Sequence, residues 1–391
     1  MPKITNIEII ELGEEGEKSS PWSSTILVLR LTTSDGVVGY GEAPTTLMTR
    51  PVYEQMREVA RLFINKDVEN INGNYFEFYK NSFYLPVSME STSALSAFEI
   101  ASWDIVGKIH GLPIYEILGG KVRDKIRAYA NGWYNDCVTP EDFLSKAKIV
   151  ESMGFTAVKF DPFGSDYHHL SEEGLLNARE IVSTIKNETN LDILIEYHGR
   201  FNANSAIRAI NTLQEFDPIF HEEPVHPDEL VGLRRVRDAT DAPIALGERV
   251  LNKKEFLPYF TDNLVDIIQP DVTNVGGIRE AYGSALLAEA FGAEVAYHNA
   301  FGPIQTAATL HLDSVIANFR IQESFEAFWP EWKKNLLKKG YKLDKGYFTL
   351  NDSPGLAIEV NERIIEEFKT DIMEPFNPSE PPWVVKGTFK R

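Results

Sequence analysis

DILIEYH at residues 192–198, PIFHEE at 218–223 and PIALGE at 243–248 follow one plan: a short apolar run closes on an acid. Glu196, Glu222 and Glu248 recur at steps of 26 residues, the length of one strand plus a helix and its loops. Outward from these three, IRAYANG (126–132), AVKFD (157–161), VDIIQP (265–270), EVAYHN (294–299) and FRIQES (319–324) continue the pattern. Amphipathic stretches such as EDFLSKAKIVESMG (141–154) and NSAIRAINTLQEF (204–216) lie between them. Eight apolar runs alternating with helices imply parallel pairing, and at this length a closed α/β barrel rather than an open sheet. No GxGxxG or GxxxxGK(S/T) follows any run, which weakens a nucleotide-binding sheet. Gly119-Gly120 follows a helix and reads as a chain break.

The first 125 residues read differently. TNIEIIEL (5–12), TILVLRLTT (25–33) and VVGYGEA (37–43) are strand-like, with the turn Ser34-Asp35-Gly36 between the last two. They predict a β-meander, interrupted by a polar, mobile loop at Gly13–Ser20. TSALSAFEIASWDIVGKIHG (92–111) is small and apolar around much of its circumference, which predicts a buried helix broken at Gly111-Leu112-Pro113.

Composition narrows the function classes. The 391 residues, 43% hydrophobic and 25% charged, suit a soluble protein with a large core. A formal charge of −19 argues against nucleic-acid or anionic-membrane partners, which need a basic face. No apolar run is long enough to span a bilayer, and MPKITNIEII lacks the layout of a secretion signal. With Cys137 as the single cysteine, an internal disulfide is impossible and a cytoplasmic location is expected. Cys137 itself reads as structural rather than nucleophilic.

Chemistry concentrates at the ends of the apolar runs. In a β/α barrel the carboxyl ends of the strands carry the active site. Three acids gathered on one rim would repel each other unless a cation sat among them. All-oxygen ligation favours a hard cation, Mg²⁺ over Zn²⁺. An acid at a strand end can also cap the next helix, but that does not explain three at equal spacing. Further ends carry Asp271, His298-Asn299 and Glu323, and an Asp beside a His on a neighbouring strand fixes the imidazole tautomer. His198, two residues past Glu196, points to the same side if the strand continues. Lys159 completes the ring, either in proton transfer or as an ion pair at the barrel mouth.

GYGEA, ASWDIVGK with GLPIYEILGG, HEEP, LGER, QPDVTNVGG and SPGLAIEV occur in an order that resembles the enolase superfamily, in its mandelate racemase-like branch. The resemblance covers almost the whole chain. It implies a (β/α)₇β TIM-like barrel at 126–354 under an N-terminal α+β capping domain at 1–125, completed by a segment of about 355–391. It further implies Mg²⁺ held by Glu196, Glu222 and Glu248, with Glu223 behind them, and an Asp271–His298 dyad as general base. Glu323 would donate a hydrogen bond to the substrate carboxylate, and His198 would protonate a departing 3-hydroxyl. Racemases of this branch carry K-x-K on the second strand, whereas this chain has Lys159-Phe160-Asp161. YANGWYNDCVTPEDF, KFDPFG, HGRFNANSAI and HNAFGPIQ resemble archaeal-type gluconate dehydratases.

The resemblance therefore implies Mg²⁺-dependent dehydration of an aldonic acid, D-gluconate first, to a 2-keto-3-deoxy acid. Galactonate, arabinonate or xylonate dehydration, racemisation, epimerisation or cycloisomerisation on the same scaffold, and non-catalytic metal or carbohydrate binding are the alternatives. Trp22, Tyr134, Tyr197, Arg200 and Asn299 are candidate substrate contacts, and the loop at Gly13–Ser20 could close the site. Family habit adds a homo-oligomer, an octamer by resemblance.

Overall fold

The computed structural model describes residues 1–14, 25–44, 49–82 and 87–370. Three antiparallel strands, β1 (Ile4–Gly13), β2 (Thr25–Thr33) and β3 (Val38–Ala43), form the expected meander. Helices α1 (Thr49–Phe63), α2 (Ile71–Asn81) and α3 (Met89–His110) cover it. The glycines of GYGEA let α3 lie directly on β3: a Cβ on Gly41 would stand 1.9 Å from the Ala97 carbonyl oxygen. As the composition of its sequence predicts, α3 is buried around most of its surface, and Gly111 ends it with φ +69°. Gly13 is the last residue of β1 rather than the start of a loop. Residues 15–20 of that expected loop, and Trp22, lie outside the described residues.

After the single turn α4 (Ile114–Ile117), strands and helices alternate. The strands are β4 (Ile126–Ala130), β5 (Ala157–Phe160), β6 (Asp192–Glu196), β7 (His221–Glu222), β8 (Ile244–Leu246), β9 (Ile267–Ile268), β10 (Glu294–Val295) and β11 (Gln322–Ser324). Between them run α5 (Pro140–Ser152), α6 (Glu172–Glu188), α7 (Ala203–Leu213), α8 (Leu230–Ala239), α9 (Leu257–Thr261), α10 (Ile278–Ala290) and α11 (Pro303–Val315). Helix starts are written locally: Thr139 and Asp142 make a capping box for α5, and Ser171 and Asn202 cap α6 and α7. Neighbouring strands pair in parallel from β4 to β10, and β11 pairs back onto β4. A parallel bridge from Val295 to Phe319 closes the ring between the last two units.

The barrel interior explains where function can sit. Tyr129, Ala157, Leu194, Phe220, Ala245, Ile267, Ala296 and Ile321 form one buried apolar layer, one residue from each strand or the residue beside it. Side chains alternate along a strand, so two residues further on the chain points inward again. Those positions are Asn131, Lys159, Glu196, Glu222, Gly247, Gln269, His298 and Glu323. The apolar layer thus forms the floor of a polar layer at the carboxyl end of the barrel.

Beyond the barrel come α12 (Glu331–Lys334), β12 (Leu337–Lys339), β13 (Lys342–Asp344), β14 (Tyr347–Thr349), β15 (Glu359–Val360) and α13 (Glu362–Phe368). The β13–β14 hairpin joins the sheet antiparallel at β4. The chain then returns to the N-terminal unit: Lys369 bridges to Leu12, and Glu362 pairs with Arg30 at 2.7 Å. Residues past 370 lie outside the described part.

Candidate active site

Glu196 and Glu222 are register partners on β6 and β7, and Glu248 follows two residues after β8. Gly247 makes that step possible, because at φ +153° a side chain would meet the Gln269 backbone at 2.6 Å. Lys159 stands among the acids, with Nζ 2.7 Å from Glu222, 3.2 Å from Glu196 and 2.9 Å from Glu323. Its side chain is buried, and the surrounding carboxylates outweigh desolvation and hold the ammonium charged. These contacts make an ion-pair network around Lys159.

The acids are strained as anions. Burial, with the charges of Glu248 and Glu223 behind it, lifts Glu196 to about 7 against the pull of Lys159. Burial and Glu196 raise Glu222 well above the ordinary carboxylate range, and burial raises Glu248 with help from Glu223 and Glu222. Glu323 goes the other way: Lys159 and His298 overcome burial and hold it at about 2. In this arrangement it is an ionised acceptor, taking bonds from Asn131 Nδ2 and the Asn299 N–H at 2.8 Å each.

Asp271 and His298 lie past the ends of β9 and β10, joined by a parallel bridge. His298 Nδ1 is 2.5 Å from Asp271 Oδ2, and a carboxylate can only accept, so Nδ1–H donates and Nε2 is turned to the site. Nε2 lies 3.2 Å from Glu248. Desolvation works to lower the imidazole, but Glu248, Asp271 and Glu323 raise it to about 10.

A second pair stands just past the ends of β5 and β6. His198 Nδ1 donates to Asp161 Oδ2 at 2.8 Å. The strand does not continue as expected: β6 ends at Glu196, and His198 has a left-handed φ of +51°. A turn places it, fixed by its N–H donating to Glu196 Oε1 at 2.7 Å and by Asp161. Arg200, expected at the substrate, is buried and grips both oxygens of Asp161. Burial would raise the Asp161 carboxyl, but Arg200 and His198 bring it to about 2.

Other expected contacts are also committed within the protein. The Tyr197 hydroxyl meets His221 Nδ1 at 2.8 Å, away from the mouth. Tyr134 stacks on Phe143 in a buried aromatic cluster, and burial pushes its hydroxyl far above its ordinary value. Asn299 Nδ2 donates to Thr306 and to the Glu323 carbonyl, both at 3.1 Å. What remains open is small: the side chains of His198 and Glu248 are each 23% exposed and His298 is 11% exposed. Sequence reading passed over Asn131 and Gln269, which donates to Glu222 Oε2 at 2.6 Å. A count of two residues from each apolar floor position would have found both. Cys137 is buried, which pushes its thiol up to about 11 and leaves it unreactive.

Among the described residues no three His, Cys, Asp or Glu side chains are already closed around one point. The donor chemistry nevertheless suits a hard cation: two buried carboxylates and the half-buried Glu248, each raised by desolvation and like charge, would be relieved by one. Lys159 draws Glu196 and Glu222 toward itself, which accounts for their spacing.

The N-terminal domain model of mandelate racemase/muconate lactonizing enzyme matches residues 19–119, and an enolase C-terminal domain-like model matches 142–364. A D-gluconate/D-galactonate dehydratase of Picrophilus torridus is 53% identical over the whole of both chains. A D-gluconate dehydratase of Thermoproteus tenax is 42% identical, over all of this chain and 79% of that one. The crystal structure of a mandelate racemase/muconate lactonizing enzyme from a Sulfitobacter species superposes with a TM-score of 0.88 at 28% identity, covering 96% and 98% of the two chains. With both halves matched and the barrel closed as expected, the chain belongs to the mandelate racemase/muconate lactonizing enzyme family of the enolase superfamily.

Proposed function

We propose that this enzyme is a sugar-acid hydro-lyase that converts D-gluconate to a 2-keto-3-deoxy acid. The carrying observation is the pairing of two Asp–His units, Asp271–His298 and Asp161–His198, around one carboxylate cluster. One imidazole can take the C2 proton at Nε2 while the other delivers a proton to the 3-hydroxyl, so hydrogen and hydroxide leave together as water. The relatives from Picrophilus and Thermoproteus support gluconate, and the first also supports galactonate, which differs at C4.

Glu196, Glu222 and Glu248 would hold Mg²⁺. Bound there, it would neutralise the acids that keep His298 protonated and act as a Lewis acid toward the substrate carboxylate. Asp271 keeps Nε2 of His298 aimed inward and stabilises the positive charge the ring gains. Asp161 does the same orienting work for His198. Lys159, in the same layer, holds Glu196, Glu222 and Glu323 in place. Racemisation is disfavoured because Asp161, standing where a second basic residue would be, is spent on His198 and Arg200.

Incubation with a panel of aldonic acids and Mg²⁺ should form a 2-keto-3-deoxy product, fastest from gluconate or galactonate. Exchange of the C2 hydrogen with no loss of water would replace this reading with an epimerase. Magnesium titration should raise the melting temperature of the parent but not of Glu222→Gln; equal shifts in both would remove Glu222 from the metal site.

A further inference from the structure

The Asp271 carboxylate is held from a direction the reaction does not require. Gln305, fully buried in the first turn of α11, donates its side-chain N–H to Asp271 Oδ2 at 2.7 Å. Its own carbonyl oxygen accepts the Phe301 N–H at 2.8 Å, so the amide has one orientation. The backbone N–H of Gln305, together with that of Ile304, donates to Glu42 Oε2 at 3.1 Å. Glu42 belongs to the GYGEA segment of β3, in the other half of the chain. Helix α11 begins at Gly302-Pro303 and has no side-chain cap of its own. A Cβ on Gly302 would stand 2.6 Å from Glu42 Oε1, so Glu42 fills the space where a local cap would be.

We infer that Glu42 and Gln305 are positioning residues for the base dyad, through which the N-terminal sheet sets the aim of His298. A helix start left without its cap can fray, and the residue exposed to that fraying is the one that fixes Asp271. Asp271 is in turn the acceptor that fixes His298 Nδ1–H, so a shift at Gln305 becomes a tilt of Nε2 at the substrate. Glu42 acts by geometry, as an acceptor of two N–H groups. A second junction of the same form serves as the internal control. Glu99 of α3 accepts the N–H groups of Ile278 and Arg279 at 2.7 and 3.0 Å, yet the Asp271 side chain is gripped by no residue of that turn.

The kinetic arm of the test rests on the dehydratase reading. Gln305→Met keeps length but deletes both amide bonds, and Glu42→Ala removes the cap. Both should lose about 10- to 100-fold in kcat and in C2 deuterium exchange, with KM within about threefold of the parent. Glu42→Gln, which keeps an acceptor oxygen, should recover most of the loss. Glu99→Ala should melt earlier yet keep kcat within about threefold. A folded Gln305→Met with parental kcat would overturn the inference. So would a Glu99→Ala that loses as much kcat as Glu42→Ala, since general loosening would then explain both. If the parent turns over no aldonate, the dehydratase reading fails and the positioning role is judged by NMR alone. The downfield Nδ1–H resonance of His298 should then move or vanish in Gln305→Met, and an unchanged resonance would end the proposal.

Discussion

The two Asp–His units at the barrel mouth use the same residue types and are held in opposite ways. Apart from His298, Asp271 is gripped by neutral donors: the Thr273 N–H and hydroxyl at 2.6 Å each, and Gln305 at 2.7 Å. Asp161 is gripped by a guanidinium, with Arg200 on both its oxygens and the Phe163 N–H at 3.0 Å. Neutral donors fix a carboxylate and leave its charge for the imidazole, which suits a ring that must gain a proton. A guanidinium fixes it and offsets the charge, which suits a ring that must give one up. The difference supports the proposed roles, with the base on the β9–β10 side and the acid on the β5–β6 side.

The largest effect that sharpens this assignment is at His298. His298→Asn should cost about 10²- to 10⁴-fold in both C2 deuterium exchange and dehydration, the usual range for a removed general base. His198→Asn should cost a similar factor in dehydration while C2 exchange continues. Measuring exchange and product in the same tube compares them directly. Equal loss of exchange in both variants would break the division of roles.

A smaller effect belongs to the carboxylate behind the acid. Asp161→Asn leaves the ring in place but lets Nδ1 face an amide that can donate or accept, so the tautomer is no longer fixed. Dehydration should fall about 10- to 100-fold, the usual cost of removing a partner that orients an active-site group. Arg200 is left unpaired and buried, so the variant should also melt earlier. Asp161→Glu, which keeps a charge for Arg200, separates the two effects: it should restore stability more than rate. Parental dehydration in a folded Asp161→Asn would show that His198 needs no orienting partner.

Much of this is legible in the sequence. Eight apolar runs at regular spacing gave the closed barrel, and the acids at their ends gave the carboxylate cluster, because strand polarity alone places them on one rim. Asp161 was read only as a missing base, since a hydrogen bond between residues 37 apart leaves no mark in local periodicity. Tyr197 and Arg200 flank His198 and in sequence look like contacts, but the left-handed turn at His198 and Gly199 redirects the chain and both side chains are buried. Glu42 and Glu99 carry caps that sequence reading expects within a few residues of a helix start. Here they come from another part of the chain, and the glycines at 302 and 277 were the available signal.

The smallest effect lies at the second of those junctions and tests stability alone. Glu99 is buried, which lifts its carboxyl from 4.5 to about 7 even though the Arg279 and Ile278 N–H groups and Trp103 Nε1 pull it down. Tyr75 and the Arg279 side chain are the other titratable groups facing it. Between those two values the folded state binds more protons than the unfolded state, so stability falls as pH rises from 4.5 through about 7. The shift corresponds to about 3 kcal/mol at most, all of it present below the unfolded value. Glu42 and Glu326 are raised to about 7 for the same reason and add the same slope, so the parent must be compared with the variant. Glu99→Gln removes the titration but keeps an acceptor oxygen for only one of the two α10 N–H groups, which reach different oxygens of Glu99, so the variant is less stable throughout and the change with pH is what is compared. Urea unfolding at pH 5 and pH 8 should show a smaller loss of stability in Glu99→Gln than in the parent. Identical losses would mean that the carboxylate is solvated as the helix loosens, so that its burial adds nothing to the pH dependence of stability.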